Sequence, residues 1–145
     1  MAESLIAATL GAQLIATFDK VRNHYGINRV GQLGAAAALA DQAYLAEAVA
    51  AIARAREGLA GIARANGLDP LPSAANFVTI DCGADGSFSK RVLDGMLSRG
   101  VFIRRPGAVG LDRCIRISCG TDKDLAVVAE ALPAALAEAR GETQI

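Results

Sequence analysis

Phe77-Val78-Thr79-Ile80-Asp81-Cys82 is the stretch on which the fold turns. Before it the apolar residues recur at helical intervals. Directly after the breaker Asp69-Pro70-Leu71-Pro72, β-branched and aromatic residues take over and the period becomes that of a strand. Towards the C-terminus, Gly83 to Gly86 reads as a turn, Ser87 or Ser89 as the cap of a short helix carrying Val92, Leu93, Met96 and Leu97, and Gly100 as its end. Val101-Phe102-Ile103-Arg104 is then expected as a second strand. Pro106, Gly107 and Gly110 mark a connecting loop, and Cys114-Ile115-Arg116-Ile117-Ser118-Cys119 is expected as a third strand. Thr121 with Asp124 has the spacing of a capping box, and Leu125, Val128, Ala129, Leu132 and Leu136 line one face of the helix it opens, with a local kink expected at Pro133.

Towards the N-terminus, Gly67 supplies a left-handed stop for a long helix that Asp41 can cap. In that helix Tyr44, Leu45, Val49, Ile52, Leu59 and Ile62 keep one face apolar. The alanines from Gly34 to Ala40 predict a close-packed helical stretch. Leu5, Ile6, Leu10, Leu14, Ile15 and Phe18 form a rough helical stripe, too short and too wrongly flanked for a membrane span or a secretion signal. The expected fold class is therefore α+β: a small, mainly antiparallel sheet covered by helices on one face, with a long leading helix.

A chain of 145 residues has the size of one ordinary domain with a real apolar core, and its 52% hydrophobic and 21% charged residues speak against disorder. Fifteen basic residues balance fifteen acidic ones, so neither a nucleic acid nor an anionic membrane surface is indicated as a partner. Cys82, Cys114 and Cys119 lack a paired metal-ligand spacing and their odd count argues against a disulfide framework, which fits a reducing cytoplasm.

Arg116, between Ile115 and Ile117, must point to the face opposite those two, where an unpaired buried guanidinium would be costly. Its planar fork suits a carboxylate, as an anchor for an amino-acid substrate, and suits equally a solvated sheet face or a structural ion pair. Arg104 and Arg105 end the preceding strand and could join Arg116 around one anion, or with Arg113 be ordinary surface charge. His24, the sole histidine, has no surroundings suggestive of a triad. No HExxH, CxxC or Walker-type glycine loop occurs.

Several strings in order resemble one family. Lys20-Val21-Arg22-Asn23-His24-Tyr25-Gly26-Ile27-Asn28 with Gln32 resembles the Lys-Val-Arg-x-Pro-Tyr-x-x-Asn-x-x-Ala-Gln segment of histidinol-phosphate aminotransferases and their class I/II relatives. Pro72-Ser73-Ala74-Ala75-Asn76-Phe77 resembles the family's Ser-x-Ala-Asn-Phe, Gly100-Val101-Phe102-Ile103-Arg104 its Gly-Val-x-Val-Arg, and Arg116-Ile117-Ser118-Cys119-Gly120-Thr121 its Arg-Ile-Ser-x-Gly-Thr. The sequence departs from the pattern at Asn23-His24, where the family has x-Pro, and at Gly26, where a larger residue is frequent.

The resemblance implies the C-terminal small domain of a fold type I, pyridoxal-phosphate-dependent aminotransferase, with residues 1–28 as a helix and connecting segment at the junction to a larger domain and residues 29–145 as the small domain. It implies that Arg116 holds the substrate carboxylate and that Arg104 approaches the substrate's other end. It further implies that Asn28 and Asn76 fall near the cleft, and that Arg22 and Tyr25 reach towards a neighbouring subunit of a homodimer. Transamination needs a Schiff-base lysine, and Lys20, Lys90 and Lys123 lack that context: Ser87-Phe88-Ser89-Lys90 copies the family's Ser-x-Ser-Lys but is followed by Arg91-Val92-Leu93-Asp94 in place of a glycine-rich run. These residues alone are therefore expected neither to hold the cofactor nor to transaminate. A threonine-phosphate-type decarboxylase would share every motif quoted. A non-enzymatic α+β ligand-binding or oligomerisation module is the alternative from a different class.

Overall fold

The computed structural model describes residues 12–21, 23 and 26–142. Among them the order is α1 (Ala12–Phe18), α2 (Arg29–Ala40), α3 (Gln42–Ala65), β1 (Asp69–Pro70), β2 (Phe77–Asp81), α4 (Gly86–Ser98), β3 (Cys114–Ser118) and α5 (Asp122–Arg140). The chain divides into two compact units, Met1–Ala48 and Val49–Ile145.

In the first unit local chemistry sets the helix starts. Asn28 Oδ1 accepts from Gly31 N at 2.7 Å to open α2, and Asp41 Oδ1 accepts from Tyr44 N at 3.0 Å to open α3, as its cap role predicted. The alanine-rich stretch is helical but not close-packed: α2 has no buried residue, and Val30 and Leu33 are exposed. Alanine propensity is enough to wind a helix, whereas packing needs a neighbour. The start of the expected N-terminal stripe lies outside the described residues; Leu14 and Phe18, within them, are about half exposed.

The second unit is built on a three-stranded sheet in the order β1-β2-β3, antiparallel throughout. Its register opposes Val78 to Ile117, Thr79 to Arg116 and Ile80 to Ile115. Val78, Ile80, Ile115 and Ile117 are buried together with Leu59 and Ala63 of α3, Val92 and Met96 of α4, and Leu132 and Leu136 of α5. One face of the sheet is thus the core, and the helices lie over it. β1 arises within the breaker itself, with Pro70 opposite Ile80; proline is tolerated there because β1 is an edge.

Three further expectations are corrected. The short helix is capped by Asp85, whose Oδ1 accepts from Phe88 N at 2.8 Å, not by Ser87 or Ser89. Ser89 is instead fully buried, its hydroxyl donating to Asp112 O at 2.6 Å. Val101–Arg104 contracts to a single bridge at Arg104, because Val101 N is engaged by Met96 O at the end of α4 and Pro106 follows closely. The apolar face of α3 is buried only in its second half, through Ala55, Leu59, Ala60 and Ala63, while Tyr44, Leu45 and Val49 are exposed.

The stops at Gly67 and Gly100 are as expected, both at positive φ (74° and 76°), and α5 continues through Pro133. The capping box is complete: Asp124 N bonds Thr121 Oγ1, and Thr121 N donates to Asp124 Oδ2 at 2.7 Å. Thr121→Ala is expected to lower stability by about 1 kcal/mol, read as a shift of the denaturation midpoint with unchanged slope.

Candidate functional site: an arginine pair on the open sheet face

Directly opposed residues of an antiparallel pair project to the same face. Thr79, Arg116 and Arg104 are opposed in a row across β2, β3 and the bridge. Arg104 N donates to Arg116 O at 3.0 Å and Arg116 N to Arg104 O at 2.7 Å, so this is a hydrogen-bonded pair with Cα atoms about 5.5 Å apart. Ile115 and Ile117 face the core. The two guanidiniums therefore leave the sheet on the face away from the helices, as strand alternation predicted for Arg116.

Arg116 is half-buried and Arg104 exposed. Among the described residues neither has a carboxylate partner; the ion pairs there join Lys90 to Asp94, Arg99 to Glu138 and Arg113 to Asp81. Like charges directly opposed on a sheet repel, and a bound anion would relieve that repulsion. The Arg116 guanidinium lies over the ring of Phe77, 4.7 Å from its centroid. Sequence reasoning missed this contact, whose signal appears only once the register is known, since Phe77 opposes Ser118 and is diagonal to Arg116.

The other arginines do not join the pair. Arg105 turns away and donates to Asp112 O at 2.8 Å, and Arg113 Nε donates to Asp81 Oδ1 at 2.7 Å. Asn76 is at the same end of the sheet: its backbone oxygen accepts from Cys119 N at 2.8 Å, and it is exposed. Asn28 belongs to the first unit, where its side-chain oxygen caps α2. Arg22, His24 and Tyr25 lie outside the described residues.

The hydrogen bond from Arg113 holds the Asp81 carboxyl below its ordinary value of 3.8, with help from Gly83 N–H and against a smaller effect of burial. A carboxyl depressed in the folded state stabilises above its unfolded pKa, and that stabilisation is lost as pH falls through the folded value. The contribution of this pair should therefore be constant down to about pH 5 and be lost below about pH 4. Asp81→Asn is expected to flatten that acid limb in urea titrations at stepped pH, and an unchanged limb would refute the assignment.

Cys82, Cys114 and Cys119 are free thiols, and burial pushes Cys82 up to about 11, which suits a packed side chain and not a nucleophile. Among the described residues no cluster of His, Cys, Asp or Glu is arranged to hold a metal ion. Nor do they fit the aldehyde cofactor that the sequence motifs imply. Lys20, Lys90 and Lys123 are all exposed, and Lys90 sits on α4 with its ammonium 2.7 Å from Asp94 Oδ2.

The family model for "Aminotransferase class I and II" matches residues 5–132. The chain belongs to the class I and II aminotransferases. It is 36% identical over 121 residues to the histidinol-phosphate aminotransferase of Geotalea uraniireducens, a match covering 83% of this chain and 34% of that protein. It is similar to the crystal structure of the Sinorhizobium meliloti histidinol-phosphate aminotransferase in complex with pyridoxal-5'-phosphate, with a TM-score of 0.79 and 47% identity over 88% of this chain and 34% of that one. A decarboxylase from Sulfurospirillum multivorans shares the fold, with a TM-score of 0.63 and 21% identity over 88% of this chain and 37% of that one. The chain thus spans about a third of the length of these aminotransferases. Within that third lie the open sheet face and its arginine pair.

Proposed function

We propose that the chain is the small C-terminal domain of a pyridoxal-phosphate-dependent aminotransferase of the histidinol-phosphate type, which moves an amino group between an amino acid or amino-alcohol phosphate and a 2-oxo acid. The observation that carries this is the pair Arg104–Arg116, opposed on the face of the sheet that no helix of its unit covers, with no carboxylate partner among the described residues. A fixed guanidinium fork can hold a carboxylate or phosphate in two hydrogen bonds, and the second guanidinium adds field at that anion. In this assignment Arg116 orients the substrate by its carboxylate and Arg104 meets its other end. Asn76 borders the same sheet end.

Pyridoxal phosphate is the electron sink for this class of chemistry. We assign its seat and the Schiff-base lysine to a large domain beyond these residues, with residues 1–28 as the junction and 29–145 as the small domain. The proposed assembly is a cytoplasmic homodimer in which Arg22 and Tyr25 reach towards the neighbouring subunit's site. Among the described residues no single helix is long and apolar enough to cross a membrane.

The test is a chimera in which this chain replaces the matching third of the Sinorhizobium meliloti enzyme, purified with its cofactor and assayed with histidinol phosphate and 2-oxo acids. Amino transfer supports the proposal. A folded, cofactor-loaded chimera that only decarboxylates amino-acid phosphates, or does nothing, overturns it.

A further inference from the structure

We infer that Phe77 is a positioning residue for Arg116: its ring is the platform over which the substrate-holding guanidinium sits, and the loop before it is latched so that the backbone carrying the ring is held in place. The inference rests on the role proposed above for Arg116.

The geometry is cross-strand. Phe77 opposes Ser118, so its ring reaches the neighbouring Arg116 along the diagonal, within range of an aromatic side chain. The Cζ of Arg116 stands 4.7 Å from the ring centroid, inside cation–π distance. Both side chains are half-buried, so the ring shields one face of the guanidinium while its N–H edge remains available for an anion.

The platform is itself fixed. Ser73 Oγ donates to Phe77 O at 2.6 Å and accepts from Ala75 N at 3.1 Å, winding residues 73–77 into a turn. Arg56 Nη1, from α3, donates to Ala75 O at 3.1 Å, and Cys119 N donates to Asn76 O at 2.8 Å. Phe77 thus enters β2 held from the helix on one side and from β3 on the other. An arginine whose fork is already oriented loses less freedom when it binds, so the platform acts on binding geometry without touching the ligand.

The experiment uses the 145-residue chain and the chimera described above. In the chain, the ¹⁵N-resolved Nε–H resonance of Arg116, assigned by its loss in Arg116→Lys, is expected upfield of the other arginines through the ring current of Phe77. Phe77→Leu should return it to the ordinary position and Phe77→Tyr should keep it upfield. In the chimera, Phe77→Leu is expected to raise KM for the carboxylate-bearing substrate about two- to fivefold with little change in kcat, and Phe77→Tyr to restore it. A merely structural role would instead lower the melting temperature of Phe77→Leu through its lost volume and leave the Nε–H position and KM unmoved. An Nε–H signal indifferent to Phe77→Leu overturns the inference. If Arg116→Lys leaves KM and kcat unchanged, the role of Arg116 fails, whatever the ring does.

Discussion

Arg116→Lys in the cofactor-loaded chimera is expected to lower kcat/KM for the amino-acid substrate about 10- to 100-fold, with normal folding and cofactor content. The estimate follows from what lysine keeps and what it loses. The charge stays, so long-range attraction is preserved. The planar fork goes, and with it one of two parallel hydrogen bonds to a charged group, each contributing on the order of 1.5–3 kcal/mol. The face of the guanidinium that lies over Phe77 is also lost, since a lysine ammonium has no plane to stack. Arg113→Lys is the matched control: that side chain is already engaged by Asp81 at 2.7 Å, and its replacement should leave kcat/KM within about twofold. A chimera in which Arg116→Lys is as active as its parent would remove Arg116 from substrate binding.

How much of this was legible in the sequence depends on the range of the interaction. The features that were legible are set within four residues. The Thr121–Asp124 box, the Asp41 cap and the stops at Gly67 and Gly100 each depend on a side chain or a φ angle close by in the chain, and each stands where the sequence placed it. Features decided by a distant partner were not. Ser89 has the chemistry of a cap, but its hydroxyl is drawn inward by a carbonyl 23 positions away, and Asp85 takes the cap. Val101–Arg104 has strand composition, yet the first donor of the segment is held by the preceding helix. Periodicity identified the apolar face of α3 but could not say which part of it this chain covers.

The candidate site shows the same division. Alternation alone placed Arg116 off the core face, and the order of segments brought Arg104 beside it. Which of the neighbouring arginines would accompany it was undecidable before the register was known. Arg104 pairs with Arg116, whereas Arg105, one residue on, leaves for Asp112 O. The partnership of Phe77 with Arg116 needed the same register.

Leu132→Ala is expected to destabilise the second unit by about 2–5 kcal/mol, in the upper half of that range. Leu132 is fully buried in the core shared by α4, α5 and the sheet. Truncation removes apolar area and leaves a cavity, and the cost depends on how far the surroundings can close in. Here they are held apart. Gly95 of α4 meets Ala135 of α5 so closely that a Cβ built on it would stand 3.1 Å from the Ala135 Cβ and 3.2 Å from its Cα. The helix backbones are already at their limit of approach, so they cannot move together to fill the space that Leu132 vacates. The C-terminal end of α5 is tied to α4 as well, by Arg91 Nε donating to Ala139 O at 2.9 Å and Arg99 bonding Glu138 at 2.8 Å. Val127→Ala, on the half-exposed side of the same helix, controls for helix propensity and should cost less than about 1 kcal/mol. Urea denaturation of the two variants settles it: equal midpoints would mean that the α4–α5 groove collapses freely, contrary to the spacing that Gly95 and Ala135 impose.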